Sequence, residues 1–205
     1  MGLRGINWRR LAVRLSVLAI ILLVIGCIAF CIGTPVYYHD KLEAPGVRVA
    51  SDAIPGAWAP ERQSEPHTCG FHAMWSLYRA YGVSPDHANL RFRLGTDMRA
   101  TNFDPDSLGT IHPDMLRVLS QDGFVTSVLA VVSPDDNPRI RTHLEAGHPV
   151  LALIRVTGLH WVVLTGVEGE DVVICDSLQP ELCREPLKAY VSERLLSGIL
   201  VRPAP

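Results

Sequence analysis

The chain is short of several residue types and patterns that mark particular classes of protein. It has 5 cysteines in 205 residues, too few for a small domain held together by disulfides. Its 19 basic residues do not outnumber its 21 acidic ones, so it lacks the basic excess of a nucleic-acid-binding surface. It contains no internal repeat and no low-complexity tract. The hydrophobic fraction of 48% is too high for a disordered chain. The length fits one globular domain with an appendage.

The appendage is an N-terminal segment that is basic first and apolar next. Residues 1–33 hold four arginines and no acidic residue, which leaves 15 basic and 21 acidic residues in the remainder. Leu15 to Ile32 form an apolar run of eighteen residues, interrupted only by Ser16 and Gly26. As a helix this run spans about 27 Å, close to the hydrocarbon thickness of a bilayer.

The charge distribution predicts the topology of the chain. Arginines before the apolar run keep the N-terminus in the cytoplasm by the positive-inside rule. We therefore expect a cytoplasmic basic segment at residues 1–14, a transmembrane anchor at 15–33 and an extracytoplasmic body. Residues 34–60 contain four prolines and two glycines, which favours a linker. Residues 61–205 remain for the folded domain.

Two other interpretations of the N-terminal segment remain open. It could be a cleaved signal peptide, although the residues around Gly33 make a poor cleavage site. Val24-Ile25-Gly26-Cys27 resembles a bacterial lipobox, which would make Cys27 a lipidated N-terminus. The body lies outside the cytoplasm in each case.

The residue pattern of the body predicts helices first and a mostly antiparallel sheet afterwards, which is an α+β fold. Helices are expected at residues 69–81, 85–94, 113–121 and 138–146, with a loop at 95–111. Strands are expected at residues 124–132, 149–156, 159–167, 172–175 and 199–202, and residues 47–50 could add a short one.

Cys69 is the candidate nucleophile. A helix N-terminus favours a thiolate, and Cys69 follows Thr68, which we expect to cap the helix. Gly70 is expected to leave room for a substrate backbone. A buried structural cysteine is the competing interpretation.

His160 and Asp176 are candidate partners of that cysteine. If the hairpin turns about Gly169, Val162 pairs with Asp176, one diagonal step of about 7–8 Å from His160. An aspartate at that position can orient an imidazole that acts as a base. The same alternation turns Cys175 to the other face, so a Cys175–Cys183 disulfide is possible but not required.

Gln63 can supply a side-chain amide to an oxyanion hole together with the backbone N–H of Cys69. Taken in order, these residues resemble the papain-like cysteine peptidases, and in particular the bacteriocin-processing family that cuts double-glycine leader peptides. The resemblance is carried by Gln63, Cys69-Gly70 with Ala73, Tyr81-Gly82, Gly109-Thr110 with Leu116 and Gly123, His160-Trp161-Val162-Val163, Asp176, and residues 197–201.

The resemblance implies a papain-like fold and a peptidase that needs no cofactor or metal. Cys69 would be the nucleophile, His160 the base and acid, Asp176 the orienting group, and Gln63 part of the oxyanion hole. A peptide or protein is the implied substrate. A transglutaminase-like acyl transferase and a non-catalytic peptide-binding module are the alternatives. His72 is expected to be a solvated residue or a rim residue, and His112, His143 and His148 are expected at the surface.

Overall fold

The structure, a computed structural model, describes residues 8–98 and 106–205; within the first helix it describes the side chains of residues 14–28 and 40–43. The chain divides into two compact units, residues 1–44 and 45–205. Most of the predicted basic segment, including Arg4 and the side chains of Arg9 and Arg10, lies outside the described residues. So does the centre of the loop predicted at residues 95–111.

The first unit contains helix α1, Trp8–Glu43. Its large aliphatic side chains between Leu15 and Ile28 are exposed by 48 to 68%. Within the described part of the chain, no helix combines the length and the apolar character that a membrane crossing requires.

The second unit has an α+β fold built on an antiparallel sheet. Its helices are α2 (Cys69–Ala80), α3 (His87–Arg93), α4 (His112–Gln121), α5 (Asn137–Glu145) and α6 (Leu187–Glu193), with 3₁₀ turns at Pro66–Thr68 and Pro134–Asp136. Its strands are β1 (Phe124–Leu129), β2 (Val150–Arg155), β3 (Leu159–Glu168), β4 (Asp171–Cys175), β5 (Cys183–Pro186) and β6 (Leu195–Pro203). The strand order is β1-β6-β2-β3-β4-β5, and every adjacent pair is antiparallel.

Apolar residues on both faces of the sheet divide the core into two clusters. Side chains alternate along a strand, so Trp161 and Val163 pack with α2 and α4 on one face. Val162 and Leu164 pack with α5 and α6 on the other. Helix α2 buries one face in the same way. Phe71, Met74, Leu77 and Tyr78 share that face at helical spacing and are completely buried. The predicted helix is confirmed.

The β3–β4 hairpin has the expected register at the end far from its turn, near His160 and Asp176. Val163 pairs with Cys175 and Leu164 with Ile174. A bulge between Leu164 and Gly166 shifts the pairs nearer the turn by one residue. The pairs beyond the bulge bring Asp176, the residue after β4, next to the beginning of β3.

Part of the region after β4 was not predicted. β5 and α6 occupy residues 183–193. Both elements are short and contain polar residues, so neither the strand alternation nor the helical spacing of apolar residues is visible in the sequence. Cys175 packs in the cluster beneath α2, whereas Cys183 packs against the opposite cluster. The two thiols are therefore free, and the disulfide that the sequence allowed does not form.

Residues 45–60 lie against the body and not apart from it. Val49 is buried in the core, and its N–H donates to the carbonyl of Asp122 at 3.0 Å. The N–H of Gly56 donates to the carbonyl of Ala80 at 2.6 Å. Residues 47–50, which could have formed a short strand, belong to no strand of the sheet.

Candidate active site

Cys69 is the first residue of α2 and follows directly from the 3₁₀ turn Pro66–Thr68. Its side chain is buried, with 8% of its surface exposed. Thr68 occupies the position before the helix, but its hydroxyl donates backwards to the carbonyl of Glu65 at 2.8 Å and makes no cap hydrogen bond. The expectation that the Thr68 side chain caps α2 was wrong, because the preceding 3₁₀ turn offers its hydroxyl a closer acceptor.

Gly70 allows neighbouring side chains to pack closely against the start of α2. A Cβ at this position would lie 2.7 Å from the Thr110 Cβ, 3.0 Å from the Met115 Cε and 3.1 Å from the Trp161 Cδ1. The missing side chain therefore admits three neighbours and not a substrate backbone, which corrects the sequence-based reason for this glycine. Trp161 is held there by a hydrogen bond from its Nε1 to the carbonyl of Thr110 at 3.0 Å.

His160 and Asp176 are hydrogen bonded across the end of the β3–β4 hairpin. The His160 Nε2 lies 2.7 Å from the Asp176 Oδ1, so the other ring nitrogen, Nδ1, is left for the side of Cys69. The same Asp176 oxygen accepts the N–H of Leu178 at 2.8 Å. Two donors on one oxygen fix the carboxylate, and the carboxylate in turn fixes the plane of the imidazole.

The electrostatics of the pair favour a charged imidazole. Burial lowers the pKa of His160, but its hydrogen bond with Asp176 and the adjacent Cys69 side chain outweigh burial and raise the pKa to about 9. Burial raises the pKa of Asp176, but the donors His160 and Leu178 outweigh it, and the net shift is downward. The Cys69 side chain is among the groups that raise the pKa of His160, so the two residues interact. A thiolate beside an imidazolium is the reactive form of a nucleophilic cysteine.

Gln63 is held at three points. Its side-chain Oε1 accepts from the Ser177 hydroxyl at 2.6 Å, and its Nε2 donates to the carbonyl of Glu65 at 3.2 Å. Its backbone N–H donates to the carbonyl of Ser177 at 3.0 Å. The segment before Cys69 is thus joined to the residue that follows Asp176.

Two cavities are lined by these residues and their neighbours. One, of about 380 Å³, is lined by Cys69 together with residues 107–112, Leu153 and Trp161. The other, of about 450 Å³, is lined by Gln63 and His160 together with residues 156–159 and Leu178. Pro66 and Leu159 line both cavities. Cys69 and His160 therefore line neighbouring cavities.

The remaining histidines differ from expectation. His72 is buried, not solvated; burial lowers its pKa, and its Nδ1 has no hydrogen-bond partner among the described residues. His112 is not a free surface residue, because it lines the Cys69 cavity, lies 2.9 Å from the Ser197 hydroxyl and packs edge-on against Trp161. His143 lies 3.2 Å from the carbonyls of Pro149 and Val201.

Across residues 8–98 and 106–205, no group of three or more histidines, cysteines or acidic residues could hold a metal ion.

The sequence did not identify Ser177 or His112 as neighbours of the site. Ser177 follows Asp176 directly, but no spacing rule connects it with Gln63, 114 residues away. His112 is the first residue of α4, and its proximity to Cys69 depends on how α4 packs against the sheet.

Comparisons with known proteins support the fold. No protein-family model and no curated protein matches the sequence. Among solved structures, the peptidase domain of Streptococcus ComA, a bifunctional ABC transporter of a quorum-sensing pathway, is 19% identical with a TM-score of 0.51, and the match covers 72% of this chain and 99% of that domain. A double-glycine-motif protease from an AMS/PCAT transporter, solved with its leader peptide, is 15% identical with a TM-score of 0.54, covering 74% and 95%. A C39-like peptidase from Bacillus anthracis is 14% identical with a TM-score of 0.51, covering 75% and 98%. The chain has the fold of these peptidase domains, as the sequence resemblance implied.

Proposed function

We propose that this protein is a cysteine peptidase in which Cys69, His160 and Asp176 form the catalytic triad. The observation that carries the proposal is the arrangement of His160, which has Asp176 on Nε2 and Cys69 within interaction range. The fold it shares with peptidase domains supports the same chemistry.

The reaction follows from this arrangement. The Cys69 thiolate attacks the carbonyl carbon of the scissile peptide, and the carbonyl electrons move to oxygen. The tetrahedral intermediate collapses, the C–N bond breaks, and the His160 imidazolium gives its proton to the leaving amine. Water then attacks the thioester, His160 accepts a proton, and the carboxylic acid product leaves with the thiolate restored.

We propose Gln63 and the backbone N–H of Cys69 as the donors to the oxyanion. A donor aimed at developing negative charge contributes about 10²–10³ in kcat. Gln63 lines the cavity that His160 also lines, which supports this placement.

The proposed substrate is a peptide that binds in extended form through both cavities. The AMS/PCAT protease of similar fold was solved with a leader peptide, so a peptide with a double glycine before the cleavage point is the first candidate. Neither of the alternatives, acyl transfer or peptide binding without cleavage, has a specific observation in its favour.

The test is digestion of a peptide library that includes double-glycine sequences, with products read by mass spectrometry. The full chain should cut peptides and Cys69→Ala should not, while the matched control Cys183→Ala should keep the wild-type rate. Two free ends indicate hydrolysis, and a joined acceptor would indicate transfer. Binding without cleavage by the wild-type chain would overturn the proposal.

We further propose that the protein is held in a membrane by residues 15–33, with its N-terminus in the cytoplasm and its peptidase domain outside. The apolar run from Leu15 to Ile32, the arginines before it and the exposed aliphatic side chains of α1 support this. The protein should then remain in the membrane pellet after carbonate extraction, and protease added to intact cells or spheroplasts should digest the domain. Release by carbonate would contradict the anchor.

A further inference from the structure

Ser177 is a buried residue that contacts the site but takes no part in the triad. Its side chain is 6% exposed, and it follows Asp176 in a turn that is closed by the Gln179 N–H donating to the Asp176 carbonyl at 3.0 Å. Its hydroxyl lies 2.6 Å from the Gln63 Oε1. The Gln63 N–H also donates to the Ser177 carbonyl at 3.0 Å, so Ser177 holds Gln63 through two hydrogen bonds.

The hydrogen bonds determine which way the Gln63 amide faces. A backbone carbonyl can only accept, so the end of the amide beside the Glu65 carbonyl must be the NH₂ group. The other end is then the amide oxygen, which can only accept, and the Ser177 hydroxyl must donate to it. The two contacts agree on one orientation.

This orientation leaves one donor available. A side-chain NH₂ has two N–H groups, and the Glu65 carbonyl takes one of those of Gln63. Among the described residues, the second has no hydrogen-bonding partner. Gln63 and His160 line the same cavity, and Pro66 and Leu159 line both this cavity and the one that Cys69 lines.

We propose that Ser177 is a positioning residue that locks the Gln63 amide with this N–H toward the substrate oxyanion. Without the hydroxyl, the amide can rotate and present its oxygen, which would repel the developing negative charge. The inference rests on the proposed function, because it assigns a task within the same reaction.

The proposal predicts different effects on two reactions of Cys69, peptide hydrolysis and alkylation. Peptide hydrolysis passes through an oxyanion, whereas alkylation of Cys69 by iodoacetamide displaces iodide without one. Removal of the Ser177 hydroxyl should therefore slow hydrolysis and leave alkylation unchanged. A general loss of structure would slow both.

The experiment is a double-mutant cycle on the full chain with Ser177→Ala, Gln63→Ala and the double variant. Ser177→Ala should lower kcat by about tenfold, the upper range for one hydrogen bond, with KM within about twofold and an unchanged rate of Cys69 alkylation. In the Gln63→Ala background the same change should have no further effect on kcat, because the residue it positions is gone.

Three further measurements sharpen the test. Ser76→Ala removes another buried hydroxyl, from a residue 5% exposed on α2, and should leave kcat near the wild-type value. Ser177→Thr keeps the hydroxyl and should retain kcat within about threefold. The side-chain amide signals of Gln63, followed by NMR, should shift and exchange faster with solvent in Ser177→Ala, because the Ser177 hydroxyl no longer donates to the Gln63 Oε1.

Several results would overturn the inference. They are an unchanged kcat in Ser177→Ala, an equal loss in the Gln63→Ala background, a parallel loss of alkylation, or a threonine variant as slow as the alanine variant. If the wild-type chain cut no peptide, the proposed function would fail instead, and the NMR signals would still show whether Ser177 orients the amide.

Discussion

At the scale of single residues, the site depends on one imidazole with a different partner on each side. A single hydrogen bond of 2.7 Å to Asp176 keeps the His160 ring in place, and the raised pKa of His160, about 9, follows from that bond and from Cys69. The imidazolium is therefore the resting form over the neutral pH range. This state suits the proposed role of His160, which is to protonate the leaving amine.

The pH dependence follows from the sign of this shift. The pKa of His160 is raised from 6.5 to about 9, so kcat/KM should fall as the pH rises through about 9, where the acid is lost. The same group stabilises the fold fully below pH 6.5 and loses that contribution as the pH rises from 6.5 to 9.

Asp176→Asn should move the alkaline limb of the pH–rate profile down from about 9, because a neutral amide no longer stabilises the imidazolium. The rate at neutral pH should fall with it. The control is Glu170→Gln, which changes a carboxylate that is 91% exposed and pairs with Arg141. An alkaline limb that stays in place in Asp176→Asn would show that Asp176 does not set the charge of His160.

At the scale of secondary-structure elements, the position of Cys69 depends on how closely α2 approaches its neighbours. Gly70 allows the loop at Thr110, helix α4 at Met115 and strand β3 at Trp161 to meet the first turn of α2. These contacts, and not a side-chain cap, fix the start of the helix.

Gly70→Ala should destabilise the fold by about 1–3 kcal/mol, the range for overpacking a filled interior, and should slow the reaction of Cys69. The control is Gly166→Ala in β3, where an added Cβ would meet nothing within 4 Å. Chemical denaturation of both variants measures the difference. Equal stability of the two would contradict the packing argument.

The elements also show what could be predicted from the sequence and why the rest could not. Helix α2 and the β3–β4 hairpin were predicted to within one or two residues, because their apolar periods are strong and glycines mark their ends. β5 and α6 were missed, because a four-residue edge strand and a seven-residue helix have too few apolar positions to show a period. Gln63, Cys69, His160 and Asp176 were singled out by type and order, whereas the link through Ser177 requires coordinates.

At the scale of the whole molecule, one buried polar network joins distant parts of the body. Arg93 of α3 contacts both carboxylate oxygens of Asp122 at 2.7 and 2.9 Å, and the Tyr78 hydroxyl of α2 donates to the same carboxylate. A Cβ on Gly46 would collide with this carboxylate, 2.3 Å away. The network therefore requires glycine in the segment that precedes the body's first helix.

Asp122→Ala should reduce the free energy of unfolding by about 3–5 kcal/mol, because it leaves a buried guanidinium unpaired. Arg93 and Asp122 are 1% and 0% exposed, whereas Arg184 and Glu168 form a pair that is 50% and 57% exposed. The control Glu168→Ala removes a solvent-exposed pair and should change the free energy of unfolding far less. A loss from Asp122→Ala as small as that of the control would show that the network contributes little.

The most direct measurement of the central claim is the rate of iodoacetamide labelling at each cysteine of the full chain at pH 7, in the wild type and in His160→Ala. Burial raises the pKa of both Cys175 and Cys183, so each should react slowly and serve as an internal reference. We predict that Cys69 reacts fastest in the wild type and loses most of this advantage in His160→Ala. A Cys69 that reacts no faster than Cys183, or one whose rate is indifferent to His160, would contradict a nucleophile activated by this histidine.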